Sequence, residues 1–253
     1  MVDYLAGNRV RGTNAERSAM TTLASAGWTF TTSNCSISNE VLNVATASDD
    51  SRAYRSHTIT DDQNWVVDMD CYTGSGGEGH VIHCLKLSKL STIADDQFAF
   101  RLNNTGGNVT LYIQERLSGS NNQNSTTATI SQNTQYYMRF IRNGSTVYWK
   151  VYTSDSNRTS DTSATTVSLS LTGSPSVRSI SYIQHGSETT GSTVSGIKID
   201  NIKIYHNMVT PSGTPAYETD FTDVSPIIVD GSIFYETDTN KSYVLYDGTW
   251  SEL

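Results

Sequence analysis

The chain has 253 residues, and 17 Lys and Arg against 25 Asp and Glu leave a formal charge of −8. That sign argues against nucleic acid or an anionic membrane as partner, since either must be met by a basic surface; no apolar run approaches the ~18 residues of a membrane span. Charged residues make up only 17%, below the usual ~25%, and Ser and Thr, roughly a quarter of the chain, take their place. Such a polar, tyrosine-rich composition disfavours a helical bundle or a nucleotide-binding α/β enzyme.

In chain order, residues 1–26 carry one helix signal. Thr13 with Glu16 three positions on reads as a capping box, and Gly27 as a stop. The opening residues lack a basic segment followed by an apolar one, so no export signal is expected. From Gly27 to about Asn207 the apolar period switches to two. Strands are expected at 28–32, 36–44, 53–60, 65–72, 80–87, 97–102, 109–117, 126–130, 135–142, 146–153, 165–171, 177–184 and 194–205. Gly-, Asn- and Ser-rich separators mark the hairpin loops. About a dozen short strands with no intervening helix specify an all-β, two-sheet sandwich over residues 27–207. Pro211, Gly213 and Pro215 then form a linker, and 208–253 ends in a short β-hairpin around Thr237–Lys241. Neither end is long enough to bury a core of its own. The tail's apolar residues, Ile227, Ile228, Val229, Phe234, Leu245 and Trp250 among them, are expected to be covered by a neighbouring subunit.

The hairpin Tyr136–Tyr152 is the most legible stretch. Asn143-Gly144 suits a two-residue turn with positive φ at both positions. That turn pairs Arg142 with Ser145, Phe140 with Val147 and Met138 with Trp149, so the apolar pairs face the core. Tyr137, Arg139, Tyr148 and Lys150 then face outward, with Arg139 over Tyr148 as a cation–π pair. The same alternation sends Tyr112, Gln114 and Arg116 outward from 109–117, and Arg101 outward from 97–102. Rings beside planar hydrogen-bonding groups suit sugar, so these eight are the candidate glycan-binding residues. Tyr, Thr and Arg also suit any half-solvated strand, and that alternative stays open.

Cys35, Cys71 and Cys84 cannot all pair. A regular hairpin across 73–79 sets Cys71 opposite about Ile82, diagonal to Cys84, so three buried thiols are expected. The same register sets Asp70 beside His83, an ordinary charge pair or, in a cleft, an acid/base pair. His80, His83 and Cys84 lie too close on one strand for a zinc site.

Tyr136-Tyr-Met-Arg-Phe-Ile-Arg-Asn-Gly-Ser-Thr-Val147 followed by Val-Tyr-Thr-Ser-Asp155 resembles the central hairpin of concanavalin A-like lectin/glucanase (LamG-like) jelly rolls. Gly196-Ile-Lys-Ile-Asp-Asn-Ile-Lys-Ile-Tyr205 is similar to their closing strand. The resemblance implies a jelly-roll sandwich and a structural calcium near the closing strand, for which Asp200 with Asp49 or Asp50 would be oxygen donors. Glycosidases of that fold carry Glu-x-Asp-x-Glu on one strand; here only Asp68-Met-Asp70 comes near. Lyase-like members would show Arg-x-Glu-x-Arg and Gln-Ile-His, of which Tyr182-Ile-Gln-His185 and Gln114-Glu-Arg116 are partial echoes. The expectation is therefore a non-catalytic chain with no catalytic or metal-binding residue. Gly231–Tyr243 and Asp247–Trp250 resemble the C-terminal hairpin of phage and viral structural proteins, and Asp3–Arg17 the leaders of virion proteins. These ends imply a structural or host-facing virion protein, a homo-oligomer or a partner of other virion proteins, with a host surface glycan as ligand. A divergent polysaccharide hydrolase or lyase, and a cell-surface adhesin, are the alternatives.

Overall fold

The computed structural model describes residues 3–5, 9–14, 17, 28–32, 34–38, 41–47, 51–59, 63–76, 81–91, 97–105, 107–117, 120–124, 127–162, 164–172, 180–186, 194–219, 231–246 and 249–253. The chain forms two compact units, one of residues 28–36 and 41–220, the other of 1–27, 37–40 and 221–253. The larger unit is an all-β sandwich, as the period-two pattern predicts.

Sheet I runs in the order β12 (Ser120–Gln123), β11 (Asn108–Leu117), β10 (Gln97–Thr105), β9 (Val81–Ser88), β17 (Ile180–Gly186), β6 (Arg52–Ile59) and β3 (Thr29–Phe30), with β13 (Ala128–Ser131) also on β11. Sheet II runs β16 (Thr165–Ser170), β15 (Thr146–Tyr152), β14 (Gln135–Asn143), β7 (Asn64–Tyr72), β18 (Val194–His206), β5 (Val41–Ala47) and β4 (Cys35–Ser38). Two further strands, β8 (Ser75–Gly76) and β19 (Tyr217–Thr219), pair with β18. Alternation decides what lies between the sheets. Phe98 and Phe100 of sheet I meet Trp65, Phe140 and Trp149 of sheet II, with Phe100 and Phe140 centroids 4.4 Å apart and Trp65 edge-on to Phe98 at 5.9 Å. All five are at most 1% exposed, so the aromatic centre of the core is closed to outside solvent.

Sequence and structure part company at three places. In the β14–β15 hairpin Asn143 pairs with Thr146, Phe140 with Trp149 and Arg139 with Lys150. The turn centres on Gly144-Ser145, and Gly144 alone of that pair has positive φ, 57°, the pattern of a II′ turn. The slip leaves each face unchanged but separates Arg139 from Tyr148, which instead lies opposite Ile141. Secondly, β7 and β9 are not a hairpin in one sheet: they lie in opposite sheets. Asp70 and His83 are therefore not neighbours in a register, and Cys71 and Cys84 meet across the core. Thirdly, a short helix α1 (Asp155–Ser160) follows β15, capped by the Ser154 hydroxyl, which accepts from the Asn157 N–H. The helix expected from Thr13 lies almost wholly outside the described residues; within them the Arg17 N–H donates to the Thr13 carbonyl at 2.9 Å.

The smaller unit is a five-stranded sheet, β1 (Asp3–Leu5), β2 (Arg9–Gly12), β20 (Ile233–Glu236), β21 (Ser242–Tyr246) and β22 (Thr249–Glu252). The two chain ends meet in it, because β2 runs parallel to β20. Phe234, Leu245 and Trp250 bury one another with Tyr243 against them, so part of the tail's apolar surface is covered within this sheet. Arg17 crosses 3.7 Å over the Tyr243 ring and donates to buried Glu236 at 2.6 Å. Burial pushes the Glu236 carboxyl up, but the hydrogen bonds from Thr239 and Arg17 outweigh it and hold the group below its ordinary range. Ile227, Ile228 and Val229 lie outside the described residues.

Candidate functional site

The eight candidate residues divide between the two outward faces. Arg101, Tyr112, Gln114 and Arg116 lie on sheet I; Tyr137, Arg139, Tyr148 and Lys150 lie on sheet II.

On sheet I the register builds two adjacent rows of outward side chains. One reads Tyr54, Gln184, Lys86, Ala99, Gln114, Gln123; the next reads Arg52, Gly186, His83, Arg101, Tyr112. A bulge in β9 between His83 and Leu85 is what turns both His83 and Lys86 outward. Gly186 is required where it stands. Its φ is 125°, and a Cβ there would sit 2.3 Å from the Ser51 carbonyl and 2.6 Å from the Arg52 Cα. That close approach brings Arg52 against Gln184, to which its Nη1 donates at 3.1 Å.

Among the described residues, these rows bring the cations Arg52, Lys86 and Arg101 onto one face of an acidic protein. The His83 imidazole is held well below its ordinary pKa, first by burial and then by the charges of Lys86, Arg101, His185 and Arg52. These groups thus share one electrostatic neighbourhood. Arg101 Nη1 donates to Gln114 at 3.2 Å and Gln123 at 3.4 Å. Tyr54 and Tyr182 touch edge to face at 6.2 Å. The segment after β9 crosses part of this face: Gln184 Nε2 donates to Ser88 Oγ at 2.6 Å and to the Leu90 carbonyl at 3.0 Å, and Arg52 donates to the Ser91 carbonyl. Arg52, His83, Lys86 and Gln184 are buried, while Arg101, Tyr112, Gln114 and Arg116 remain partly open to solvent.

Sheet II is built differently. Arg139 forms a bidentate pair with Asp68, at 2.7 and 2.9 Å, and both are buried. Burial opposes the guanidinium charge, yet the Asp68 carboxylate raises its pKa and keeps it. Arg139 is thus engaged by a carboxylate, where a cation–π contact with Tyr148 was expected. Tyr148 instead packs against the cluster of Val66, Ile141 and Tyr205. Lys150 donates to Asp161 at 2.7 Å, and Tyr152 donates to the same carboxylate. Near the β7–β18 boundary a cleft of 280 Å³ is lined by Val41, Asp70, Tyr72, Tyr137, Lys198 and Asp200, among others. Asp70 accepts from Arg158 Nη1 at 2.8 Å and Asn201 Nδ2 at 2.7 Å, so both its oxygens are occupied. Burial pushes its pKa up and the Arg158 charge offsets part of that.

For calcium, Asp200 faces Asp70 across the β7–β18 ladder, while Asp49 and Asp50 lie outside the described residues. Among the described residues no group of three or more His, Cys, Asp or Glu is placed to hold a metal ion, and no helix is long and apolar enough to cross a membrane. Sequence reasoning missed Arg52, His83, Lys86 and Gln184 as members of one face. Strand alternation could have put Arg52 with Tyr54, but the β9 bulge breaks the alternation that would have linked His83 to Lys86.

No family model matches the sequence, and no curated protein does. Solved structures do share the fold. The chain is similar to the enzymatically active domain of tailspike protein 2 of bacteriophage CBA120, with TM-score 0.52 and 10% identity over 79% of this chain and 33% of that one. It is also similar to the GH43 protein BlXynB of Bacillus licheniformis, with TM-score 0.51 and 6% identity over 68% of this chain and 35% of that one. The PL7 alginate lyase AlyA1 of Zobellia galactanivorans matches at TM-score 0.44 and 12% identity, over 71% and 83%. This chain spans about a third of the length of the first two. The first two likenesses agree with the all-β sandwich. They also correct the expectation of a non-catalytic chain: a third of a domain described as enzymatically active matches this fold, so the fold is compatible with enzyme activity.

Proposed function

We propose that the sandwich recognises acidic polysaccharides on the outward face of sheet I and serves as a host-facing component of a virus particle. The observation that carries the reading is the group of partly exposed Arg101, Arg116, Gln114 and Tyr112 on one face, with Arg52, His83 and Lys86 buried along the same outward rows, in a protein whose net charge is −8. A guanidinium addresses a uronate carboxylate in two parallel hydrogen bonds, amides address hydroxyls, and phenol rings cover the apolar face of a pyranose. The virion placement, and assembly as a homo-oligomer or beside other virion proteins, rests on the resemblance of the two chain ends to virion proteins.

Affinity electrophoresis of the full chain through gels holding a polyuronate or a neutral β-glucan tests the ligand class. Retardation by the polyuronate that weakens with salt is the expected result. Retardation by the neutral glucan alone, or by neither, removes the proposal.

A second reading is cleavage by β-elimination, for which His83, on the same outward row as Arg101 and Tyr112, is the candidate base. A neutral imidazole is able to take the proton α to a carboxylate whose charge a guanidinium offsets, while the glycosidic C–O bond at the β carbon breaks and its oxygen leaves with a proton from solvent. An ultraviolet signal from a new carbon–carbon double bond that is lost in His83→Ala would establish that reading. Polyuronate that binds without any such signal would leave recognition alone.

A further inference from the structure

Cys71 lies on β7 of sheet II and Cys84 on β9 of sheet I, and their Sγ atoms are 3.6 Å apart in the core. Both are fully buried and neither is in a disulfide. A disulfide places the sulfurs at ~2.05 Å, so side-chain rotation has ~1.5 Å to close. The third wall is Met138, whose Sδ lies 3.4 Å from Cys84 Sγ. An unbranched thioether is the side chain best able to refill space that two converging sulfurs vacate.

We infer that Cys71 and Cys84 are a modification site, forming a cross-sheet disulfide by exchange with a small diffusible disulfide. One cysteine thiolate attacks a sulfur of the small disulfide and expels one thiolate, leaving a mixed disulfide. The second cysteine thiolate then attacks the protein-side sulfur and expels the other thiolate. The two cysteines are oxidised, the small disulfide is reduced to two thiols, and these take up the two protons the cysteines lost.

Burial, and then the neighbouring Cys71, push the Cys84 thiol well up, so thiolate is scarce in the closed protein. Exchange therefore proceeds through opened states and quickens when those are populated. In a reducing cytosol the pair stays as thiols, and in an oxidising medium it closes. The bond ties β7 to β9 and closes the chain between residues 71 and 84, so a chain that folds with free thiols is locked after leaving its reducing compartment.

The test incubates the full chain with oxidised glutathione, both natively and during refolding from denaturant, followed by alkylation and peptide mass analysis. The expected product has lost two hydrogens, joins the Cys71 and Cys84 peptides, and leaves Cys35 open to alkylation after denaturation. Its melting temperature stands roughly 5–10 °C above that of the reduced chain. Cys84→Ser removes both the linked peptide and the shift; Cys71→Val does the same if the serine variant fails to fold. Stable glutathione adducts without the 71–84 link, a bond to Cys35, or free thiols after refolding would each overturn the inference.

Discussion

The two outward faces of the sandwich draw on the same residue types and use them in opposite ways. On sheet II and the helix α1 beside it, cations are set against carboxylates: Arg139 on Asp68, Arg158 on Asp70 and Asp155, Lys150 on Asp161, Lys203 on Glu218. On sheet I, Arg52, His83 and Arg101 share one outward row beside Lys86, and among their described contacts Arg52 donates to Gln184 and the Ser91 carbonyl and Arg101 to Gln114 and Gln123. Matched charge consumes the hydrogen-bonding capacity of a face in holding the fold. Gathered charge raises the local potential and favours an anion. The contrast teaches that arginine on a strand face marks a ligand site only when its neighbours are known.

The largest effect that would break this comparison is at Arg139. Arg139→Ala leaves the Asp68 carboxylate buried without its bidentate partner, which costs about 3–5 kcal/mol. Chemical denaturation should show that loss, with polyuronate affinity of the remaining folded protein unchanged. A loss of affinity at native stability would move the ligand to sheet II.

Acid should act next, through the buried histidines of the sandwich. His185 is lowered to about 4, mainly by burial, which its hydrogen bond with the Cys84 carbonyl only partly opposes. The unfolded imidazole protonates near its ordinary 6.5, so between these values the unfolded state binds more protons. Stability is full above that range and falls as pH drops through it, by roughly 2–3 kcal/mol at the lower end. His57 is likewise lowered to about 4, by burial and then by His206 and Arg55, and adds a smaller share because it is half-exposed. Denaturation of the wild type and His185→Gln at several pH values should show a shallower acid slope in the variant. Identical slopes would place the acid sensitivity elsewhere.

Gly186→Ala sharpens the comparison by striking sheet I alone. The added methyl meets Ser51 and Arg52 backbone at 2.3 and 2.6 Å in a positive-φ position, a strain of about 2 kcal/mol. Both the melt and the polyuronate affinity should fall, because the displaced strand carries Arg52.

Much of the fold was legible in the chain. Period-two alternation locates the core strands, and the parity of the β14–β15 turn survives its misplacement, so Phe140, Met138 and Trp149 fall inward either way. What alternation does not carry is which strands pair. A short loop between β7 and β9 reads as a hairpin, yet the chain crosses from one sheet to the other there. That one error displaced Asp70, His83 and the two cysteines together. The candidate site was legible in part: Arg101, Tyr112 and Gln114 follow from simple alternation, whereas His83 and Lys86 are brought to the same face by a bulge that leaves no period. The parallel pairing of β2 with β20 joins residues more than 200 positions apart, beyond the reach of local pattern.

The most direct test of the account is titration calorimetry of a soluble oligouronate into the wild type and two single variants, Arg101→Gln on sheet I and Tyr137→Ala in the sheet II cleft. Both positions are partly exposed, so stability should change little and affinity is read cleanly. The account predicts roughly tenfold weaker binding for Arg101→Gln, the share of one charged bidentate contact, and unchanged binding for Tyr137→Ala. Unchanged binding in Arg101→Gln with loss in Tyr137→Ala would contradict it and assign the ligand to the cleft.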